Sequence, residues 1–367
     1  MLLYSNNKYS FIGRATAFLL SGVLLISSLT GCQNEVNNSS ESSEAASYEA
    51  TSSEVTSSET NSTQSTVDSK PKQPKDEIRA IAEERISKDI ESAIRYVEQD
   101  LDKDGSTVSY PFEEVVTEYS KLTDTQKQLY DDMLSKVQSL TPFVYSAEEY
   151  GYDVLDNVVV ASEALNYDHP ECEIYFTIDE IFDGETTVAL KSSYYFPYDS
   201  KSQNTKDTTS LKKELDIFDM ECNLIVEAIP EYFSTYDKYR YLAALISIRT
   251  TYDDFFTGGN KTATVYGAIQ GNVAICQGYA RTFEYLCKKA NLWCKHIVGI
   301  SRETAHSWNL VKLESGTYHV DVTWADSDMN EILDEGWHYY FMITQDEILS
   351  RDHEIIDDTV ATGTPLR

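Results

Sequence analysis

The sequence predicts an α+β fold: one amphipathic helix packed on an antiparallel sheet, preceded by a mostly helical region with a few short strands. Three observations predict it. Apolar residues recur at helical spacing through most of residues 76–166 and 211–290. Short β-rich runs are confined to residues 172–198 and 293–324. The later runs follow one another across tight turns, as antiparallel neighbours do. The chain has 367 residues, 41% of them hydrophobic and 12% aromatic, enough for about two domains with buried cores and too apolar for wholesale disorder. Six cysteines are too few for a disulfide scaffold. Lys and Arg number 30 against 61 Asp and Glu, a formal net charge of -31. That balance excludes sequence-independent nucleic-acid binding, which needs a basic surface, and docking on anionic lipid through a polybasic patch.

Residues 1–31 read as a leader. Lys8 and Arg14 supply positive charge, residues 15–26 a short apolar run, and Leu29-Thr30-Gly31-Cys32 a small-residue cleavage site ending at cysteine. This order resembles the lipobox of bacterial lipoproteins. The resemblance implies that Cys32 is lipidated and anchors the chain to the membrane at the bacterial cell surface, outside the cytoplasm. Residues 32–75 are dominated by Ser, Thr, Glu and Asn and close on Pro71 and Pro74. Such a stretch buries too little apolar surface to offset its ordering entropy, and as a flexible coil it spans about 35 Å. Its six Glu and Asp68 are set against Lys70, Lys72 and Lys75, so nearly all the acidity belongs to the folded body.

Residues 76–205 form the first folded region. Ile78, Ala82, Ile86, Ile90, Ala93, Val97 and Leu101 mark one helix over 76–101. Asp100, Asp102 and Asp104, followed by Gly105, match the first half of a calcium loop. Position twelve of that loop is Pro111 where a bidentate Glu is needed, so calcium here stays open beside a plain acidic helix end. Further helices are expected over 111–122, 124–140 and 152–166, with Leu129, Met133 and Val137 on one face of the second. Asp168 and His169 before Pro170 read as a turn. Short strands are expected at 174–178, 187–190 and 194–196, then a polar loop over 201–209.

Residues 206–367 carry the chemistry. Helices are expected over 211–229 and 238–251. From Cys276 the stripe Tyr279, Ala280, Phe283, Leu286, Cys287 and Ala290 marks a helix whose first residue is the cysteine. Unpaired N–H groups and the helix dipole there stabilise negative charge on sulfur and can receive an oxyanion. Three strands follow, over 293–300, 306–313 and 318–324, the last two joined at Ser315-Gly316. They carry His306 and Asp321. A cysteine at a helix start, then a histidine, then an acid is the order nucleophilic thiol catalysis needs: His306 takes the thiol proton and Asp321 holds the imidazole's tautomer.

The segments Cys276-Gln-Gly-Tyr-Ala, His306-Ser-Trp-Asn-Leu-Val and His319-Val-Asp-Val-Thr-Trp resemble the transglutaminase-like superfamily of cysteine enzymes. The likeness extends over about residues 252–353, through Tyr339-Tyr340-Phe341 and Arg351-Asp352-His353. It implies a papain-like core with Cys276 as nucleophile, His306 as general base and acid, and Asp321 as orienting acid. Members form amides, hydrolyse peptides or are inactive, so a binding module on an inactive scaffold stays beside the enzyme reading.

A tight hairpin at Ser315-Gly316 pairs Leu310 with Asp321 and leaves His306 and Asp321 about 13 Å apart along the sheet. Contact then needs a bulge, a bend or a shifted register, and Asp326 is the nearer rival. Gln270 is the candidate side-chain donor to an oxyanion. Cys287 and Cys294 read as core, Cys172 and Cys222 are free to pair, and His296, His319, His338 and His353 have no catalytic context. The histidines lack zinc-site spacing, so no metal and no cofactor are expected. The expected partner is a protein or peptide substrate, cationic or neutral given the acidity, met by a monomer.

Overall fold

The computed structural model describes residues 74–367, apart from 104, 142, 147–149, 151–152, 173, 182–186, 195–207, 327–338, 357–358 and 367. The leader, Cys32, the tether and Asp104 lie outside the described residues. So do His338 and most of the expected 201–209 loop.

The architecture is mixed helix and sheet, consistent with the α+β expectation. Helix α1 (Pro74–Glu98) opens on Asp76 and Glu77 and closes with Arg95 in its last turn, complementing the helix dipole at both ends. It stops short of Leu101 because the Asp100 carbonyl accepts a hydrogen bond from Arg240, 2.6 Å away, and the Asp102 amide donates to Asp237. Asp102 also accepts from the Ser234 hydroxyl, so it serves the start of a later helix. The helix expected over 111–122 is instead two short 3-10 turns, Phe112–Glu114 and Glu118–Lys121, separated by extended backbone at Val115 and Thr117. Asp168 breaks the run: its carboxylate accepts from the amides of Glu118 and Tyr119 and so starts the second turn anew.

Helix α2 (Asp124–Gln138) starts on a capping box of Thr123 and Gln126. Strand β1 (Val144–Ser146) and helix α3 (Val154–Asp168) follow. Leu129, Met133, Val137, Tyr145, Val158 and Leu165 from these elements make a core of their own. Strands β2 (Ile174–Ile181) and β3 (Thr187–Tyr194) join β1 in an antiparallel sheet ordered β1-β3-β2.

Helix α4 (Thr208–Glu227) precedes α5 (Thr235–Arg249), which starts on a second capping box at Ser234 and Asp237. Then come β4 (Thr251–Tyr252), α6 (Val265–Ile269), β5 (Val273–Ala274) and α7 (Cys276–Lys289). Strands β6 (Cys294–Ser301), β7 (Thr304–Leu313) and β8 (Gly316–Val320) lead to helix α8 (Val322–Ala325). Strand β9 (Phe341–Ile343), helix α9 (Gln345–Leu349) and strand β10 (His353–Ile355) close the chain. The five-stranded antiparallel sheet is ordered β10-β6-β7-β8-β9, and β4 pairs with β5 in parallel.

Helix α7 lies on this sheet. Asn309 of β7 donates to the Ala280 carbonyl, and the His296 amide of β6 donates to Glu284. Val311 and Cys294 join the helical core, while Trp308, Leu310 and Ile297 form a smaller core with Ile343 and Ile348, the alternation a two-sided sheet demands. The cores do not divide at residue 206. Ala82, Ile86, Ala93 and Val97 of α1 are buried in the same core as Phe218, Tyr241, Leu245 and Phe283, so the first helix completes that core.

That packing has a measurable consequence. Ile86→Ala, at a fully buried site, lowers the unfolding free energy by roughly 2–5 kcal/mol in urea titrations. Val116→Ala, 71% exposed, changes it by less than about 0.5 kcal/mol.

Candidate active site

Cys276 is the first residue of α7, and its placement follows from its neighbours. The Ile275 amide donates to the Thr262 carbonyl at 2.8 Å, fixing the chain where it enters the helix. Gly278 permits the approach: a Cβ there would stand 2.3 Å from that same carbonyl oxygen. Cys276 is 7% exposed, buried but reachable.

The hairpin that carries the other two residues departs from the expected register. Leu313 pairs with Gly316 and Leu310 with His319, so the turn is Glu314-Ser315, one residue early, and the pairing shifts by two. Gly316 has φ of +133°, backbone that glycine alone adopts readily. Strand β8 also ends at Val320 instead of 324. Asp321 becomes the N-cap of α8, its Oδ1 accepting from the Trp324 amide at 3.1 Å. The early exit from the sheet removes the expected gap: His306 Nε2 and Asp321 Oδ2 are 2.7 Å apart. Asp326, the rival acid, instead accepts from the Tyr279 hydroxyl at 2.6 Å.

His306 therefore stands between two groups. Burial alone would make its ring shed a proton. The Asp321 charge and hydrogen bond, together with a hydrogen bond to the Cys276 thiol, outweigh burial and push it up to about 10. With Nε2 committed to Asp321, Nδ1 is the nitrogen left for sulfur. Burial would raise the Asp321 carboxyl, but His306 first and then His353 hold it far below the ordinary carboxylate range. His353 is the residue that sequence reasoning missed. Its Nε2 lies 2.9 Å from the same Asp321 oxygen, although 32 residues separate the two and no local motif announces the contact.

Tyr252 is a second unforeseen neighbour. Strand β4 sets it beside Ala274, and its hydroxyl meets the Cys276 backbone N–H; burial and then the nearby sulfur push the phenol above its ordinary range. Gln270 faces elsewhere. Its amide reaches the Glu214 carbonyl at 3.5 Å and the Glu221 carboxylate, both on α4.

The remaining candidates resolve into structure. Trp308 donates to His319 Nδ1 at 3.0 Å, and His319 Nε2 meets Gln345 Oε1 at 3.1 Å. Burial holds the His319 ring neutral, lowering it to about 4. His296 is likewise lowered to about 3 by burial, with Arg281 adding to the effect. His169 bonds Glu171 at 2.9 Å within a turn that Lys288 also joins. The Cys172–Cys222 disulfide is not formed. Among the described residues, two groups bring together enough metal-ligating atoms to consider, one around His169 and one of His306, Asp321 and His353. In the first a lysine ammonium stands beside the ligands. In the second both Nε2 atoms lie at hydrogen-bond distance from one carboxylate oxygen, which calls for protons, not a cation.

No family model matches the chain, and no curated protein matches it. Among solved structures, one described as a crystal structure of a TGase aligns with 41% of this chain and 44% of its own length. The identity is 18% and the TM-score 0.28, and the chain spans less than half of that protein. A likeness of that size carries no argument about fold or activity.

One buried acid on α7 itself makes the site's surroundings testable. Burial raises Glu284 from 4.5 to about 8, only partly countered by the His296 amide. Unfolded, this carboxyl ionises near 4.5; folded, it keeps its proton to about 8, so stability falls as pH rises between those values. In Glu284→Gln the melting temperature drops less between about pH 5 and about pH 9 than in the parent chain, as thermal denaturation followed by circular dichroism would record.

Proposed function

We propose that the chain is a surface-anchored thiol enzyme of the transglutaminase-like type, built on a papain-like core and acting at amide or peptide bonds. One observation carries the chemistry: the Cys276 thiol and the Asp321 carboxylate contact the same imidazole, that of His306. The motifs at Cys276, His306 and Asp321 support the same reading independently of distance.

The residues then act in sequence. His306 takes the proton from Cys276, and the sulfur attacks the carbonyl carbon of the bound amide. The oxyanion forms at the start of α7, where the Cys276 amide donates and Tyr252, in place of Gln270, is the side chain at hand. His306 returns its proton to the departing nitrogen as the C–N bond breaks, leaving a thioester on Cys276. Water or an amine, deprotonated by His306, attacks the thioester and releases the thiol, giving hydrolysis or cross-linking. Asp321 keeps Nε2–H of His306 in place throughout. His306 holding its proton up to about 10 favours imidazolium beside the sulfur at neutral pH.

Lipidation at Cys32 would fix the enzyme to the membrane, with residues 32–75 as tether, residues 76–205 as an accompanying region and residues 206–367 bearing the site. The net charge of -31 favours cationic or neutral peptide substrates.

Two measurements test this. Iodoacetamide labels Cys276 with a pH dependence that His306→Ala removes; labelling indifferent to His306 sinks the thiol mechanism. Mass spectrometry of a peptide library, with and without an added amine, shows cleaved or amine-joined products that vanish in Cys276→Ala. In the same assay His306→Ala lowers turnover by about 10²–10⁴-fold. A chain that yields no product, while Cys276→Ala keeps every partner, is a binding module instead.

A further inference from the structure

Asp321 accepts from two imidazoles, and only His306 belongs to the thiol chemistry. The other, His353, comes from β10, which pairs with β6 at the edge of the sheet. Its Nε2 stands 2.9 Å from Asp321 Oδ2, against 2.7 Å for His306 Nε2. Its side chain, like that of Asp321, is wholly buried. Its Nδ1 lies 2.9 Å from the Arg351 carbonyl oxygen, so each ring nitrogen faces an oxygen acceptor. Trp308 meets the ring edge-on at 5.1 Å and Tyr340 packs at 6.0 Å, which fixes the ring's plane.

A histidine kept only for packing would not need a nitrogen on the oxygen that orients the base. The geometry has a consequence for that base. The Trp324 amide fixes Oδ1, leaving Oδ2 to serve both rings. A second donor spreads the charge of Oδ2 and prevents the carboxylate from swinging with His306 alone.

We propose that His353 is a positioning residue of the thiol site: it clamps Asp321 Oδ2 and divides that oxygen between two imidazoles, so that His306 is oriented without being overheld. The inference rests on the thiol-enzyme reading above. No bond is made or broken at His353. The titratable groups facing it are Asp321, His306 and the Tyr340 phenol, with His319 beyond Trp308; Arg351, Asp352 and Glu354 flank it on its own segment.

The test is iodoacetamide alkylation of Cys276, followed by mass spectrometry across pH in the full chain, for the parent, His306→Ala, His353→Phe and His353→Gln. Phe keeps the packing and loses the donor; Gln keeps a donor and loses the ring. With its donor gone, Asp321 holds the His306 proton harder. The upper step of the alkylation profile, where that proton leaves, should move up by roughly one pH unit in His353→Phe and return toward the parent in His353→Gln. A purely structural role lowers the rate alike at every pH and is not rescued by Gln. Phe and Gln profiles that coincide, or a Phe profile equal to the parent while His306→Ala differs, overturn the proposal and leave the thiol reading standing. If the parent shows no His306-dependent profile, the thiol reading fails and this one with it. Should His353→Phe not fold, His353→Leu takes its place; if neither apolar variant folds, His353 is a clamp of the fold alone and the positioning role is overturned.

Discussion

The buried carboxylate of Asp321 is the constraint on which the site is built. An ionised acid with no solvent contact must be paired and hydrogen-bonded on every side, and leaving one partner out costs several kcal/mol. Its partners come from four separate places: the Trp324 amide in α8, His306 in β7, His353 in β10 and, through its own amide, the Tyr340 carbonyl ahead of β9. The strand order β10-β6-β7-β8-β9 brings these together, since Asp321 leaves the sheet at the end of β8 and must meet both β7 and a strand on the far edge. Completing the coordination of one carboxylate therefore requires the last third of the chain to be folded.

The thiol side depends on different physics. Nothing pairs with Cys276 in the way that two histidines pair with Asp321. Its position comes from the backbone: a helix that starts at that residue, entered through the Ile275–Thr262 hydrogen bond and allowed by Gly278. The thiol and the carboxylate meet at His306, whose ring stacks near Trp308 at 5.8 Å and lies 6.2 Å from Trp324. Those aromatic walls exclude water and so strengthen each electrostatic interaction with the ring. This is why the attraction of Asp321 exceeds the cost of burying a cation, and why His306 is driven upward while His296 and His319, equally buried without a carboxylate at bonding distance, are driven down.

The sequence made the local parts of this arrangement legible and hid the parts that depend on distance along the chain. Cys276 as a helix start could be read because the apolar stripe begins there. The Asp321 contact could not, since displacing a hairpin turn by one residue moves the pairing by two, and both turn placements suit Glu314-Ser315-Gly316. The helix expected at 111–122 failed because its interruption is made by Asp168, some fifty residues away. The role of His353 lay beyond reach for the same reason: Arg351-Asp352-His353 closes the resemblance, but nothing local names Asp321 as its partner. Helix α1 looked like part of a separate region, but its Ile86 stripe joins one buried core with residues of α4 and α5, and no periodicity names the partner of an apolar face.

The acidity reads differently once burial is known. A formal count treats each of the 61 acids as ionised, yet Glu284 is pushed to about 8, and Asp326 and Glu163 to about 7, in each case chiefly by burial. At neutral pH Glu284 is protonated and the other two are about half so, while His306 adds a positive charge that the count omits. These corrections remove only about three negative charges from a total of -31. The exclusion of anionic partners therefore survives. Around Asp321 the sign reverses. The buried acid there is held ionised between two imidazoles, and that of His306 is pushed up to about 10, so its charge is matched within the site.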